Sequence, residues 1–182
     1  MSRNDRAKQA LYRLACGDPF NCLPDVLRAF HSLPSGGQAR GELTITRGPG
    51  RIRGKCADLM RLPPAGEGVA VRLEVQVHAE RERWIRDFGA HRLVTEQWCR
   101  SGLLVEAAGP MWFGFRLTAD ETRMEFAMER CWLLGLPLPL FLAPRVDAVV
   151  TGRASGWWTV VNVRVPLLGL LARYEGEMRP LC

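Results

Sequence analysis

Hydrophobic positions along the chain follow two periods in succession, and the change falls near residue 66. In "RAKQALYRLACG" the apolar residues Ala7, Ala10, Leu11 and Leu14 recur at helical spacing, with Gly17 as a stop. In "DPFNCLPDVLRAFHSLPSGG", Asp25 after Pro24 caps a short helix carrying Val26, Leu27 and Phe30, which the Pro34-Ser-Gly-Gly run ends. A strand-like "GELTITRG" comes next. "GRIRGKCADLMRLPP" then puts Ile52, Cys56, Leu59 and Met60 on one helical stripe, terminated by Pro63 and Pro64.

From Gly66 onward the period is two. In "VAVRLEVQVH", Val69, Val71, Leu73, Val75 and Val77 alternate with Arg72, Glu74, Gln76 and His78, which predicts a strand with one buried and one wetter face. "ERERWIRDFG", "HRLVTEQWC" and "GLLVEAAG" follow as neighbours. "PMWFGFRLTAD" sets Met111, Phe113, Phe115 and Leu117 against Trp112 and Arg116, and "TRMEFAMERCW" sets Met124, Phe126 and Met128 against Arg123, Glu125 and Glu129. "RVDAVVTGRA", "WWTVVNVRV" and "LARYEGEM" complete the run. About nine strands with hairpin-length links predict an antiparallel meander rather than βαβ units, and a sheet that long curls towards a barrel or half-barrel. The expected fold is therefore a single α+β domain over 1–182. Residues 1–35 form its helical part, and residues 40–180 a strongly curved, half-barrel-like sheet with a short helix near 51–62.

One stretch, "WLLGLPLPLFLAPR" from Trp132 to Arg145, fits neither period. It is too short to span a bilayer, and Pro137, Pro139 and Pro144 deny it the donors of a helix or a central strand. A largely extended connection between strands remains, with one short helical turn at "LFLA". Leu167-Leu-Gly-Leu in "VPLLGLLARYEG" echoes Leu133-Leu-Gly-Leu, so both segments are expected to close the same end of one curved sheet.

"LLGLPLPLFLAPRV" and "VRVPLLGLLARYEGEMRP" carry a resemblance to the bacterial domain of unknown function family 4166. It continues upstream through "LPDVLRAFHS", "GRIRGKCADLMRLPPAGEGVAVRLEV", "WIRDFGAHRL" and "GPMWFGFRL", and runs from about Asp18 to Pro180. The resemblance implies a domain found alone or fused behind a saccharopine-dehydrogenase-like NAD-binding domain, with no assigned activity and no catalytic residues to carry over. The family motif has a histidine where His31 ends "DVLRAFH".

Composition narrows the picture. A hydrophobic share of 47% and a charged share of 24% suit a soluble globular chain. The net charge of +6 comes almost wholly from arginines spread along the chain, with "RGPGRIRGK" the nearest thing to a cluster. That spread argues against a specific nucleic-acid partner. "MSRNDRAKQALYRLACG" mixes charge into what a signal peptide would keep apolar, and no run is long enough for a transmembrane helix. Six cysteines fall singly, never as C-x-x-C, and read as reduced residues of a cytoplasmic protein.

Candidate chemistry is sparse. There is no G-x-S-x-G, and no G-x-G-x-x-G after a strand, so no cofactor is expected. "RGPGRIRG" is glycine-rich like a phosphate cradle but lacks the G-K-[ST] ending. His78 and His91 lie on neighbouring strands without a spacing that enforces a metal site. Simple alternation puts Arg130 on the apolar face of Met124, Phe126 and Met128. There it would hold a carboxylate or phosphate head group, unless a β-bulge near Cys131 reverses the register or an internal glutamate pairs with it. The expected ligand site is thus Arg130 with Met111, Phe113, Phe115, Met124, Phe126, Met128 and Phe141, and His31 is a possible polar site. The leading function is a non-catalytic binding module for an apolar or amphipathic, lipid-like small molecule, gated by "LPLPLFLAP" and "PLLGLL". The alternatives are an accessory domain docking onto an NAD-binding oxidoreductase, and an enzyme in which His31 and Arg130 meet in one pocket.

Overall fold

The structure, a computed structural model, describes residues 10–181. Two short helices, α1 (Leu11–Cys16) and α2 (Asp25–Phe30), flank a 3-10 turn at Asp18–Cys22. Gly17 stops α1 at positive φ, its N–H bonded to the Arg13 carbonyl at 2.9 Å. The helical reading of Ala7 lies outside the described residues. Strand β1 (Gln38–Arg47) and helix α3 (Arg51–Leu59) come next. Strands β2 (Gly66–His78), β3 (Arg81–Phe88), β4 (His91–Arg100), β5 (Leu103–Ala108), β6 (Met111–Ala119) and β7 (Arg123–Leu133) then run in sequence. They are followed by β8 (Leu136–Leu138), β9 (Arg145–Arg153), β10 (Gly156–Val165) and β11 (Gly169–Leu181).

Every paired neighbour is antiparallel, and the sheet closes. β1 pairs with β2 on one side and with β11 on the other, from Gln38 opposite Leu181 to Arg47 opposite Ala172. β6 pairs with β7, and β7 with β9, so ten strands form an up-and-down barrel that β8 joins only as a hairpin extension of β7. The half-barrel expectation is corrected here. Local patterning shows hairpins, whereas the seam between β1 and β11 joins segments more than a hundred residues apart. The two-residue turns Ser101-Gly102 and Leu134-Gly135 have positive φ at both positions, the geometry whose twist matches that of paired strands.

"WLLGLPLPLFLAPR" resolves into the end of β7, the turn, β8 and a helical turn at Leu140–Ala143 closed onto the Pro139 carbonyl. Both this segment and the β10–β11 turn lie at the end where β3, β5 and β7 finish, since Arg145 stands opposite Arg164 at the start of β9. α1 and α2 cover the other end, where Tyr12, Phe20, Leu27 and Phe30 are buried. α3 follows the expected stripe only in part, with Cys56 and Met60 packed against the core. Its buried residue is Ala57, which packs with Leu171 and Ala172 of β11, while Ile52 and Leu59 are 68% and 85% exposed. In the preceding glycine-rich loop, a Cβ on Gly48 would sit 1.9 Å from the Leu170 carbonyl oxygen. That glycine is explained by the close approach of β11.

Candidate functional site

Inward-facing side chains leave the barrel hollow. The cavity has a volume of about 880 Å³, within the ~300–1,000 Å³ of pockets that enclose drug-sized molecules. Its wall is chiefly apolar: valines of β2, β9 and β10 face Met111, Phe113, Phe115 and Phe126. Leu59, Leu133 and Leu134 border the cavity yet are 85%, 41% and 77% exposed, so this is where it opens to the surface. At that mouth His91 Nε2 meets the Arg61 carbonyl at 2.8 Å, tying the β3–β4 turn to the end of α3.

The expected site residues divide into three groups. Met111, Phe113, Phe115, Phe126 and His31 border the cavity. Met124 and Met128 pack into the core behind it. Arg130 and Phe141 lie on the outside. The reason for Arg130 is a β-bulge: Gly114 pairs with Arg130, but Phe115 pairs with Met128, so Glu129 is an extra residue and the alternation reverses. Cys131 is buried as a result, and Arg130 is exposed. Gly114 permits the close packing there, because a Cβ on it would meet the Trp132 ring at 3.1 Å. His31 and Arg130 therefore do not meet, and the enzyme reading that needed their union is withdrawn.

The interior holds a polar cluster that sequence reasoning missed. On β3, β4 and β5 the inward row carries Arg86, Thr95 and Glu106. Arg86 NH1 donates to Thr95 Oγ1 at 2.9 Å and lies 3.1 Å from Glu106 Oε1, and Thr95 Oγ1 donates to the same carboxylate oxygen at 2.6 Å. Burial is the largest single influence and disfavours the guanidinium charge, but Glu106, Tyr174 and Tyr12 together outweigh it and raise the Arg86 pKa. Tyr174 on β11 faces the same pair. Its phenol is pushed up to about 12, by burial first, with Arg86 opposing and Glu106 adding. Deeper, Tyr12 donates to Gln97 at 2.9 Å, and Trp84 Nε1 donates to the buried Glu82 at 2.9 Å. The signal was present in "RERWIRDF", where Arg86 shares its face with Trp84 and Phe88.

His31 forms part of the cavity floor, stacked on Tyr12 at 3.8 Å and on Trp84 at 5.9 Å. Burial lowers its pKa from 6.5 to about 3. The folded-state value is depressed, so the unfolded chain binds the extra proton; stability is full above 6.5 and declines as pH falls towards 3. We expect a loss of about 1–2 kcal/mol between pH 7 and pH 5. His31→Phe keeps the stack and should remove most of that slope in urea titrations at the two pH values; an unchanged slope would place its origin elsewhere.

A hollow, up-and-down β-barrel, covered by helices at one end and open at the other, is the class these observations define. The chain belongs to the DUF4166 family, a domain of unknown function, whose model matches residues 23–178. Among solved structures it is similar to a protein of unknown function from the DUF3598 family of Nostoc punctiforme. The two share 10% identity and a TM-score of 0.52, over 80% of this chain and 47% of that one. The likeness is one of fold alone, and this chain spans about half the length of that protein's chain. No curated protein matches the chain. Among the described residues, no helix is long and apolar enough to cross a membrane.

Proposed function

We propose that this domain is a non-catalytic binding module that takes an apolar or amphipathic small molecule into the barrel. The observation that carries this reading is the cavity of about 880 Å³, apolar-walled and open at one end, with a few polar groups inside. A few placed polar groups in an apolar concavity are the usual make-up of small-molecule sites. The rim supports it, since Leu59 and Leu134 offer an entering chain an apolar surface.

Native mass spectrometry of protein purified without detergent, with organic extraction, should reveal a stoichiometric adduct, and the emptied protein should take up Nile red. Ala148 borders the cavity on β9. Ala148→Trp fills it and should weaken uptake about tenfold or more while leaving stability equal or higher by up to ~2 kcal/mol, as cavity-filling changes do. Uptake undiminished in this variant would locate the dye outside the barrel and sink the proposal.

A second reading, docking onto a separate protein such as an NAD-binding oxidoreductase, draws on apolar residues beyond the cavity lip. Leu136, Phe141 and Leu142 are 72%, 72% and 58% exposed. It predicts that Phe141→Asp suppresses self-association without altering Nile red uptake.

A further inference from the structure

We propose that the polar group of the ligand is an uncharged carbonyl (ketone, ester, amide or quinone-like), seated between Arg86 of β3 and Tyr174 of β11. This rests on the binding-module reading and adds the ligand's chemical class.

The first ground is the donor inventory. A guanidinium offers five N–H donors. Those on NH1 serve Thr95 and Glu106, while Nε and NH2 make no hydrogen bond with any described residue, and neither does the Tyr174 hydroxyl. Among the described residues, every side-chain nitrogen or oxygen sealed from solvent has a partner. The uncommitted donors of Arg86 and Tyr174 are therefore those that face the cavity. Glu106 Oε2 is likewise uncommitted there, so a hydroxyl or N–H beside the carbonyl is accommodated.

The second ground is charge. Glu106 already neutralises Arg86, and Glu82 stands two residues from Trp84 on the same inward row of β3. Arg61 and Arg92 also border the cavity but at its mouth, where Arg92 keeps 59% of its side-chain surface exposed. Deeper in the barrel a carboxylate ligand would bring a further negative charge to Glu106 and Glu82, inside an apolar wall where uncompensated charge is costly. An ammonium ligand would meet the guanidinium. A neutral acceptor takes the free N–H and O–H groups and leaves the balance unchanged. A pure hydrocarbon would fill the apolar space but leave those donors unused.

The test is displacement of Nile red from the full chain at pH 8 by three twelve-carbon probes: a methyl ketone, the alkane and the carboxylate. The ketone should displace the dye at a concentration about tenfold or more below either of the others, the span of one hydrogen bond to a charged donor. In Arg86→Met/Glu106→Leu, which removes both charges, the dye should still bind and the preference over the alkane should shrink by at least about threefold, to what the Tyr174 hydroxyl alone supplies. Should that variant fail to fold, Tyr174→Phe should weaken the ketone about threefold to tenfold and leave the alkane unchanged. Equal displacement by ketone and alkane, a carboxylate that matches the ketone, or a preference undiminished in these variants would overturn the inference, with the binding module intact. A wild-type protein that takes up neither Nile red nor any probe would bring down both.

Discussion

Arg86→Met alone should cost the fold about 3 kcal/mol, because it strands Glu106 inside the barrel without its cation. Both side chains of the pair retain only 20% and 19% of their surface. Breaking a buried pair from one side typically costs ~3–5 kcal/mol, and the low end applies here because the cavity gives the carboxylate some access to water. Thr95 still donates to Glu106 at 2.6 Å, which limits the loss further. For a chain of this size, 3 kcal/mol corresponds to a fall in melting temperature of about 6–12 °C. Arg86→Met/Glu106→Leu should recover most of it, since an apolar replacement of a whole buried pair is often neutral or stabilising. Urea denaturation of the wild type, both single variants and the double variant gives the coupling directly. A double variant that falls by the sum of the singles would mean that the two residues act separately, contrary to the geometry.

The same cluster shows how far the sequence could be read. Period-two alternation located the inward rows of β2 and β6 and of β7 as far as its bulge, and Phe113, Phe115 and Phe126 of those rows border the cavity. Applied to Arg130 it failed, because one inserted residue, Glu129, reverses the register, and a bulge leaves little trace in hydrophobicity. Applied to "RERWIRDF" and "LLVEAA" it would have found Arg86 and Glu106. There the difficulty was that charges also stand on the outward row, as Arg81 and Arg83, so the alternation of polarity is blurred. Strand β8 was illegible for a different reason. Only three residues long and containing Pro137, it is held in place by pairing with the end of β7. α3 was located well and its stripe was half right: Cys56 and Met60 pack against the core, while Ile52 and Leu59 do not. Its exposed Ile52 and Leu59 would be misplaced on an ordinary surface helix, yet Leu59 borders the mouth of the cavity, where an apolar residue has a use.

Closure of the barrel, the largest miss, left a faint mark in two glycines, and these set the second large effect: Gly41→Ala and Gly176→Ala should each destabilise the protein by about 3 kcal/mol or more. Gly41 lies mid-strand in β1 opposite Met178, and Gly176 mid-strand in β11 opposite Leu43. A Cβ on Gly41 would lie 1.9 Å from the Glu177 carbonyl oxygen, and one on Gly176 would lie 2.1 Å from that of Glu42. Both obstacles are backbone, so no side-chain rotation relieves them, and the two strands would have to part along the seam. Glycine inside a strand normally weakens it, and one that persists marks a close approach of another backbone. "ARGELTI" and "RYEGEMR" each carry such a glycine in their inward row, next to Leu43 and Met178 respectively. Overpacking a built core costs ~1–3 kcal/mol even where side chains can yield, and here the ladder hydrogen bonds of the seam are lost as well. Gly68→Ala is the control. That glycine is the third residue of β2 with open space around its Cβ position, and its positive φ alone should cost only about 1 kcal/mol. Hydrogen exchange should then show protection lost first in β1 and β11 of the Gly41 and Gly176 variants, with the β3–β4–β5 hairpins holding longest. Uniform loss of protection would mean that the seam is no weaker than the rest of the wall, and that closure does not depend on these two glycines.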